Sequence, residues 1–424
     1  MRKFTLSLFT LLSCSILFGQ QDVGVVGANN WLQSWTSFKP LTNDYPQTTK
    51  ILPNVISSDF SLSSYETYLL VGEVYVTNNA TLTIEAGTVI RASSDEYSAL
   101  IITKGAKINA QGLPNNPIVF TSTKPVRERK PGDWGGIYIL GNAPVTTFGG
   151  LFRIESGLDP SLIVAGGNNP KDNSGVLKYV RVEFAGRGLN KNSVYDAVSF
   201  VCVGRGTVIE SVQSSFSNGN SFKFVGGKIK GTKLFAYRSK NSDFEFTQGA
   251  NCELDNGLII RYAFFSANSG FRGIHVKQFE NKDITDFSKP TTNVVINNFS
   301  IINESEGQAV TNGLVREAIF LNKDTKFSIN KSIITGFESA LLLSSDIELN
   351  EASLNKIKLQ KVFINNCTYN ITSQLGLTAS SDLESYYSAT ILGNVYYKAQ
   401  QADLFNDVSN ERTPDYRIKI GSIK

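Results

Sequence analysis

The 424-residue chain is poor in reactive side chains, with one histidine, one methionine (the initiator) and four cysteines. A single His cannot supply a two-His zinc site, and scattered Cys without a CxxC pair cannot build a zinc ribbon. An excess of one charge is missing too. The 41 Lys+Arg against 37 Asp+Glu give +4 over a long chain, without any Lys/Arg block, so the footprint of a nucleic-acid binder is absent. No nucleotide-binding loop, nucleophile elbow or metal-ligand spacing occurs. No segment beyond the N-terminus is apolar enough to span a bilayer. What is present is turn-forming and apolar: 37 asparagines, 35 glycines, 11% aromatic and 41% hydrophobic residues, a composition that argues against disorder.

Arg2-Lys3 followed by the apolar run Phe4 to Phe18 has the build of an export signal over residues 1–20, with cleavage expected near Gly19-Gln20. Leu11-Leu12-Ser13-Cys14 offers a rival reading, a lipoprotein anchored through Cys14. The apolar run continues through Ile16-Leu17-Phe18, past that cysteine, which favours plain secretion. The expected location is therefore secreted, or on the cell surface in association with an outer membrane. Cys202, Cys252 and Cys367 would remain in the mature chain. Cys202 lies in the run Val198 to Val203 and reads as a buried thiol acting as a small hydrophobe.

Residues 21–65 are mixed and weakly periodic, and read as an N-terminal extension and cap. From there to residue 424 the chain consists of short alternating or β-branched stretches bounded by Gly, Asn, Ser or Asp, such as Leu82-Thr83-Ile84 and Ile118-Val119-Phe120. Convincing amphipathic helices are absent before about residue 380. A repeat then emerges. Asn220-Ser221-Phe222-Lys223-Phe224 is echoed by Asn241-Ser242-Asp243-Phe244-Glu245-Phe246 and by Asn268-Ser269-Gly270-Phe271-Arg272. Likewise Lys233-Leu234-Phe235-Ala236-Tyr237 is echoed by Leu258-Ile259-Ile260-Arg261-Tyr262. Spacings of 22 to 27 residues with three short strands per repeat predict one coil of a parallel β-helix. The expected fold is all-β, a right-handed parallel β-helix of roughly 10–12 coils at ~25 residues each, closed by a C-terminal cap. Cys202 and Cys252 would stand about two coils, ~10 Å, apart, too far for a disulfide. Asn220, Asn241 and Asn268 are expected at equivalent turns, where their amides would form a ladder from coil to coil.

Three stretches carry a more specific signal: Ala80-Thr81-Leu82-Thr83-Ile84-Glu85-Ala86-Gly87-Thr88-Val89-Ile90, Trp134-Gly135-Gly136-Ile137-Tyr138-Ile139-Leu140-Gly141-Asn142-Ala143, and the run Asp172 to Gly186 containing Leu177-Lys178-Tyr179-Val180-Arg181-Val182-Glu183-Phe184. Together they resemble secreted right-handed parallel β-helix proteins of Bacteroidota in the pectin-lyase-like superfamily, over about residues 66–275 and more weakly to the end. Pro414 to Ser422 resembles the closing segment of such helices. The resemblance implies the fold; it carries no single activity to transfer. Many relatives place acid pairs before the phenylalanine-rich strands, where this chain has Gly219-Asn220 and Asn241-Ser242. Many also carry a C-terminal sorting domain for the type IX route, which Pro414 to Ser422 does not resemble.

Strand alternation with Phe222, Phe224, Phe244, Phe246 and Phe271 inward places Lys223, Glu245 and Arg272 outward on successive coils. One reading makes Glu245 a general acid or base with Lys223 and Arg272 gripping a sugar; the other is an exposed salt-bridge ladder, in which a carboxylate between cations has a lowered pKa ill suited to a general acid. Arg181 and Glu183 read the same way. His275, the lone histidine, is the remaining catalytic candidate, and Tyr179, Tyr237 and Tyr262 are candidates to stack on sugar rings. No cofactor is expected. Under a pectate-lyase reading, Asp243, Glu245 and Asp255 beside Arg261 would hold calcium. The functional expectation is a secreted or surface scaffold, non-catalytic, binding glycan or a surface protein, with Lys223, Asp243, Tyr237 and Tyr262 as its contacts. The alternatives are a polysaccharide lyase or glycoside hydrolase centred on Glu245 and Arg272, and a structural component of an outer-membrane or extracellular assembly.

Overall fold

The computed structural model describes residues 22–154, 159–188, 194–262, 272–305 and 317–422. From Lys50 the chain winds through short strands, each lying parallel on its counterpart one coil earlier, so that three ladders form. Sheet A has eleven strands, from Val55–Ile56 through Phe222–Val225 and Phe244–Thr247 to Tyr369–Ser373. Sheets B and C form one continuous set of 19 strands, because Gly175–Glu183, Val208–Ser215 and Lys228–Tyr237 pass from B into C without a break. Each coil runs C, A, B. This is the expected all-β, right-handed parallel β-helix with three strands per coil, and its right hand is the rule for parallel crossovers.

The corners explain part of the asparagine content. Between sheets B and C, Tyr179, Ser211, Lys233, Asn256, Asn298, Lys331 and Lys361 all hold left-handed backbone on consecutive coils, with φ between 47° and 57°. Asparagine tolerates that geometry better than other residues with a Cβ, and supplies two of the seven positions. The amide ladder lies elsewhere than expected. Asn220 donates its N–H to Asp196 Oδ1 (3.0 Å) and Asn241 gives its carbonyl to Arg261 (2.8 Å), while Asn268 lies outside the described residues. On sheet B, however, Asn330 Nδ2 donates to Asn297 Oδ1 at 3.0 Å, in one column with Asp255 and Gln360.

Inside the coils, Phe200, Phe224 and Phe246 stack with ring centroids 5.3 and 4.9 Å apart, and Phe222 lies 5.0 Å from Phe244. Neighbouring coils thus share one core, and such ring pairs add about 0.5–1.5 kcal/mol beyond area burial. The register corrects the repeat alignment in two places. Phe244 faces Ile274 of the next coil, three residues beyond Phe271, which itself lies outside the described residues. Tyr237 faces Ile260, two residues before Tyr262.

Residues 50–62, expected within the extension, form the first coil. The segment before them runs along sheet C as a strap. It begins at Val25, whose N–H donates to Ser300 Oγ, passes Ser37 on Gln213, and reaches Tyr45 on Glu183. The C-terminal hairpin, Phe405–Asp407 with Asp415–Ile418, lies beside the strap, where Arg417 donates to the carbonyls of Gly27 and Ala28. The helix Leu377–Tyr387 covers the far end, with Tyr387 donating to the carbonyl of Ile357. Cys202, Cys252 and Cys367 are all buried. Among the described residues no helix is long and apolar enough to cross a membrane.

Candidate functional site

Alternation along sheet A turns every second residue outward, and the register stacks Ser199, Lys223, Glu245, His275 and Phe320 in a single column. His275 therefore takes the place expected for Arg272. The reason is the three-residue slip at Ile274. Arg272, before the strand, instead reaches sideways, with its Nε 2.5 Å from Glu317 Oε1 and its guanidinium 4.2 Å from the Phe320 ring.

The column is the spine of an ion network. Lys223 Nζ is 3.2 Å from Glu245 Oε1, 3.2 Å from Glu280 Oε1 and 3.9 Å from Asp196 Oδ2. Lys277 Nζ is 3.3 Å from the same Glu245 oxygen and 3.1 Å from Glu280 Oε2. His275 lies between Glu245 Oε2, 3.5 Å from Nδ1, and Asn322 Oδ1, 2.8 Å from Nε2. Burial opposes ionisation of Glu245, but Lys277, Lys223 and the His275 hydrogen bond outweigh it and hold the carboxyl well below its usual range. Asp196 goes the other way. Burial pushes it up to about 6, against the pull of Lys223 and with the repulsion of Glu245 and Glu280. Burial lowers the Lys223 pKa, but Glu280, Glu245 and Asp196 more than offset it, and the ammonium is held well above its usual range.

Only part of this network is visible in the sequence. Lys277 lies on the face of His275, two residues on, and alternation alone would have found it. Asp196, Glu280 and Asn322 flank the strands in turns and loops, where no period marks them. The Glu245 side chain is 8% exposed, so the expected exposed ladder is in fact largely covered.

The other candidates are dispersed. Asp243 and Arg261 form a fully buried pair, Oδ2 to Nη1 2.8 Å, and Ser239 Oγ donates to the second oxygen of Asp243. Burial raises Asp243 to about 6, partly offset by Arg261. Asp255 lies in the sheet B column, away from Glu245 on sheet A, so the residues named for calcium are not gathered at one point. Among the described residues, no three His, Cys, Asp or Glu side chains are grouped to hold a metal. Tyr237 is buried, donating to the carbonyl of Phe38 in the strap, and is not an exposed sugar platform. Tyr262 has the Arg238 guanidinium 4.8 Å from its ring, and Tyr179 meets the edge of Trp35. Glu183 is also buried rather than outward-exposed: it accepts from Tyr45 Oη and Thr121 Oγ1, with Arg181 Nε 3.5 Å away.

Comparison with curated proteins finds no match. Among solved structures, tailspike protein 2 of Escherichia coli O157:H7 bacteriophage CAB120 is 14% identical, with a TM-score of 0.26. The match covers 79% of this chain and 38% of the tailspike. Residues 54–402, nearly all of the coils, match the family model of the pectate-lyase-like β-helix domain, and the chain belongs to that family.

Proposed function

We propose that the protein is exported and works at or beyond the cell surface as a non-catalytic β-helix that binds glycan. One observation carries the non-catalytic part. The ionisable groups gathered on sheet A neutralise one another: Glu245 is clamped by Lys223 and Lys277, which share Glu280. A carboxylate held that way has no proton to give and little basicity to accept one. The pectate-lyase-like family and the stacked, repeating face support a glycan as partner, and Arg2-Lys3 with Phe4 to Phe18 supports export.

A second reading is favoured by one detail, the opposite shifts of Asp196 and Glu245. Carboxyls pushed apart in this way can divide acid and base roles, which would make the chain a lyase or hydrolase. Incubation with a panel of polyuronates and neutral glycans separates the two. The scaffold reading expects retention of a glycan without release of reducing or unsaturated sugars. Sugar release that is lost in both Asp196→Asn and Glu245→Gln would establish the enzyme instead.

A further inference from the structure

Sheet C is apolar on both faces over its middle coils. Ala236, Ile259, Ile301 and Ile334 point into the coil interior and belong to its core. The residues that alternate with them, Phe235, Tyr237, Leu258, Ile260, Ile302 and Ile333, point outward and are buried all the same. The wall of a solenoid needs one apolar face, so a second one demands a cover. Here the cover comes from the two ends of the chain. Val25 and Leu32 of the strap, with Phe405, Tyr416 and Ile418 of the C-terminal hairpin, form one cluster with that outer face, separate from the coil interior.

The two ends also hold each other. Asn30 Nδ2 donates to the carbonyl of Pro414 at 2.8 Å. Arg417, fixed by Asp415 (Nη2 to Oδ2 2.6 Å), donates through Nη1 to the carbonyls of Gly27 (3.1 Å) and Ala28 (2.9 Å). The Phe38 ring stacks on Tyr416 with centroids 6.2 Å apart, and Lys39 pairs with Glu411. Neither end has a complete seat without the other. The coils supply the rest, through the Val26 N–H on Asn256 Oδ1 (3.0 Å) and the Gly24 N–H on the Lys331 carbonyl (2.8 Å). These partners are remote in sequence: 230 residues separate Val26 from Asn256, and 384 separate Asn30 from Pro414. A chain made N-terminus first therefore offers the strap no full seat until its last segment exists, and closing so long a loop costs entropy before any contact repays it. Each coil, by contrast, packs on its immediate neighbour.

We propose that the strap and the C-terminal hairpin are a single clasp, which closes last over sheet C and opens as one unit before the coils do. The clasp has coils on one side and solvent on the other, with the Lys39–Glu411 pair outside it, side chains 47% and 76% exposed. Such a layer opens locally at less cost than strands whose neighbours lie on both sides. Its closing makes the arrival of the C-terminal hairpin the condition for covering sheet C. Until then the outer face of Phe235, Tyr237 and Leu258 stays open, and damage at either chain end uncovers the same surface.

Amide hydrogen exchange of the full chain, read by mass spectrometry, tests it. In the wild type, the amides of residues 24–39 and 405–418 should share one level of protection, below that of the coils. Arg417→Ala, on the hairpin, should speed exchange in both segments by about tenfold or more, and leave the coils unmoved. Leu32→Ala, on the strap, should do the same to both segments. In pulse-labelled refolding, the two segments should gain protection together and after the coils. Faster exchange confined to the mutated segment, or no change in either, would show that the ends do not act as one. Strap amides as protected as the coils, a variant that loosens the coils equally, or a strap protected along with the first coil would overturn the clasp as a late, separate unit.

Discussion

Lys223 stands directly opposite Glu245 in the parallel ladder of sheet A, one coil apart, with Nζ 3.2 Å from Oε1. Their neighbours in the column are a serine below and a histidine above. Glu280 and Lys277, in the segment after the next strand, close the network over it. The cluster thereby ties that segment to the coils beneath.

Breaking the pair from one side should be expensive. Glu245→Leu removes one of the two carboxylates that Lys223 and Lys277 share, leaving Glu280, and is expected to cost about 1.5–3 kcal/mol, the worth of a hydrogen bond to a charged group. Lys223→Met combined with Glu245→Leu should cost less than the sum of the single changes. Urea unfolding of the four proteins measures the cycle; strict additivity would mean that the two side chains do not interact.

Asp196 gives a pH signature. Its folded-state carboxyl is raised to about 6 from an ordinary 3.8, in sight of Lys223, Glu245, Glu280 and Tyr138. The folded protein therefore holds a proton that the unfolded chain has already released. This contribution to stability is complete below pH 3.8 and is lost as the pH rises through about 6. Asp196→Asn keeps an acceptor for the N–H of Asn220 and removes the titration. Relative to that variant, the wild type should lose stability between these two pH values, by at most about 1.4 kcal/mol per pH unit. A difference that stays flat across the range would contradict the assignment.

At its C-terminal end the strap is held to sheet C by the polar contacts of Tyr45. Tyr45 Oη donates to buried Glu183 and accepts from Arg181 Nη2. Tyr45→Phe should destabilise the fold by about 1–3 kcal/mol, because the Glu183 carboxylate loses a donor it cannot replace from water. Limited proteolysis should then cut residues 22–49 faster than in the wild type, while the coils stay resistant.

Thiol chemistry reports on the coil interior. Burial pushes the Cys202 and Cys252 thiols up, and Cys367 is buried as well. With Cys14→Ser, to leave only these three, a thiol reagent should label nothing in the native state and all three residues in denaturant. Rapid labelling of native protein would show that the coils open locally.

Much of the fold was legible because alternation is a local property. Phe222-Lys223-Phe224 and Phe244-Glu245-Phe246 place their rings inward and their charges outward, and the stacked rings confirm it. The next coil was misaligned because Phe271-Arg272 mimics the motif while Gly273-Ile274-His275 enters the ladder. Loop length is free to vary between strands, so a periodic match cannot locate the strand by itself. Tyr237 and Glu183 were misread for a different reason. Alternation says which side chains point away from the coil interior, but not whether something covers them. Their cover comes from Phe38 and Tyr45, far away in sequence. Glu280 and Asn322 were invisible for the same cause: they join the network from outside the strands that form its column.

The state of one carboxyl tests the account most directly. Carboxyl-carbon NMR of the folded protein, with Glu245→Gln to assign the signal, follows the titration of Glu245. The account predicts that this group stays ionised through and below the range around 4.5 where glutamates usually protonate, held there by Lys277 and Lys223. A midpoint at or above 4.5 would contradict it, because Glu245 would then carry a proton to donate and the network would be open to acid–base chemistry.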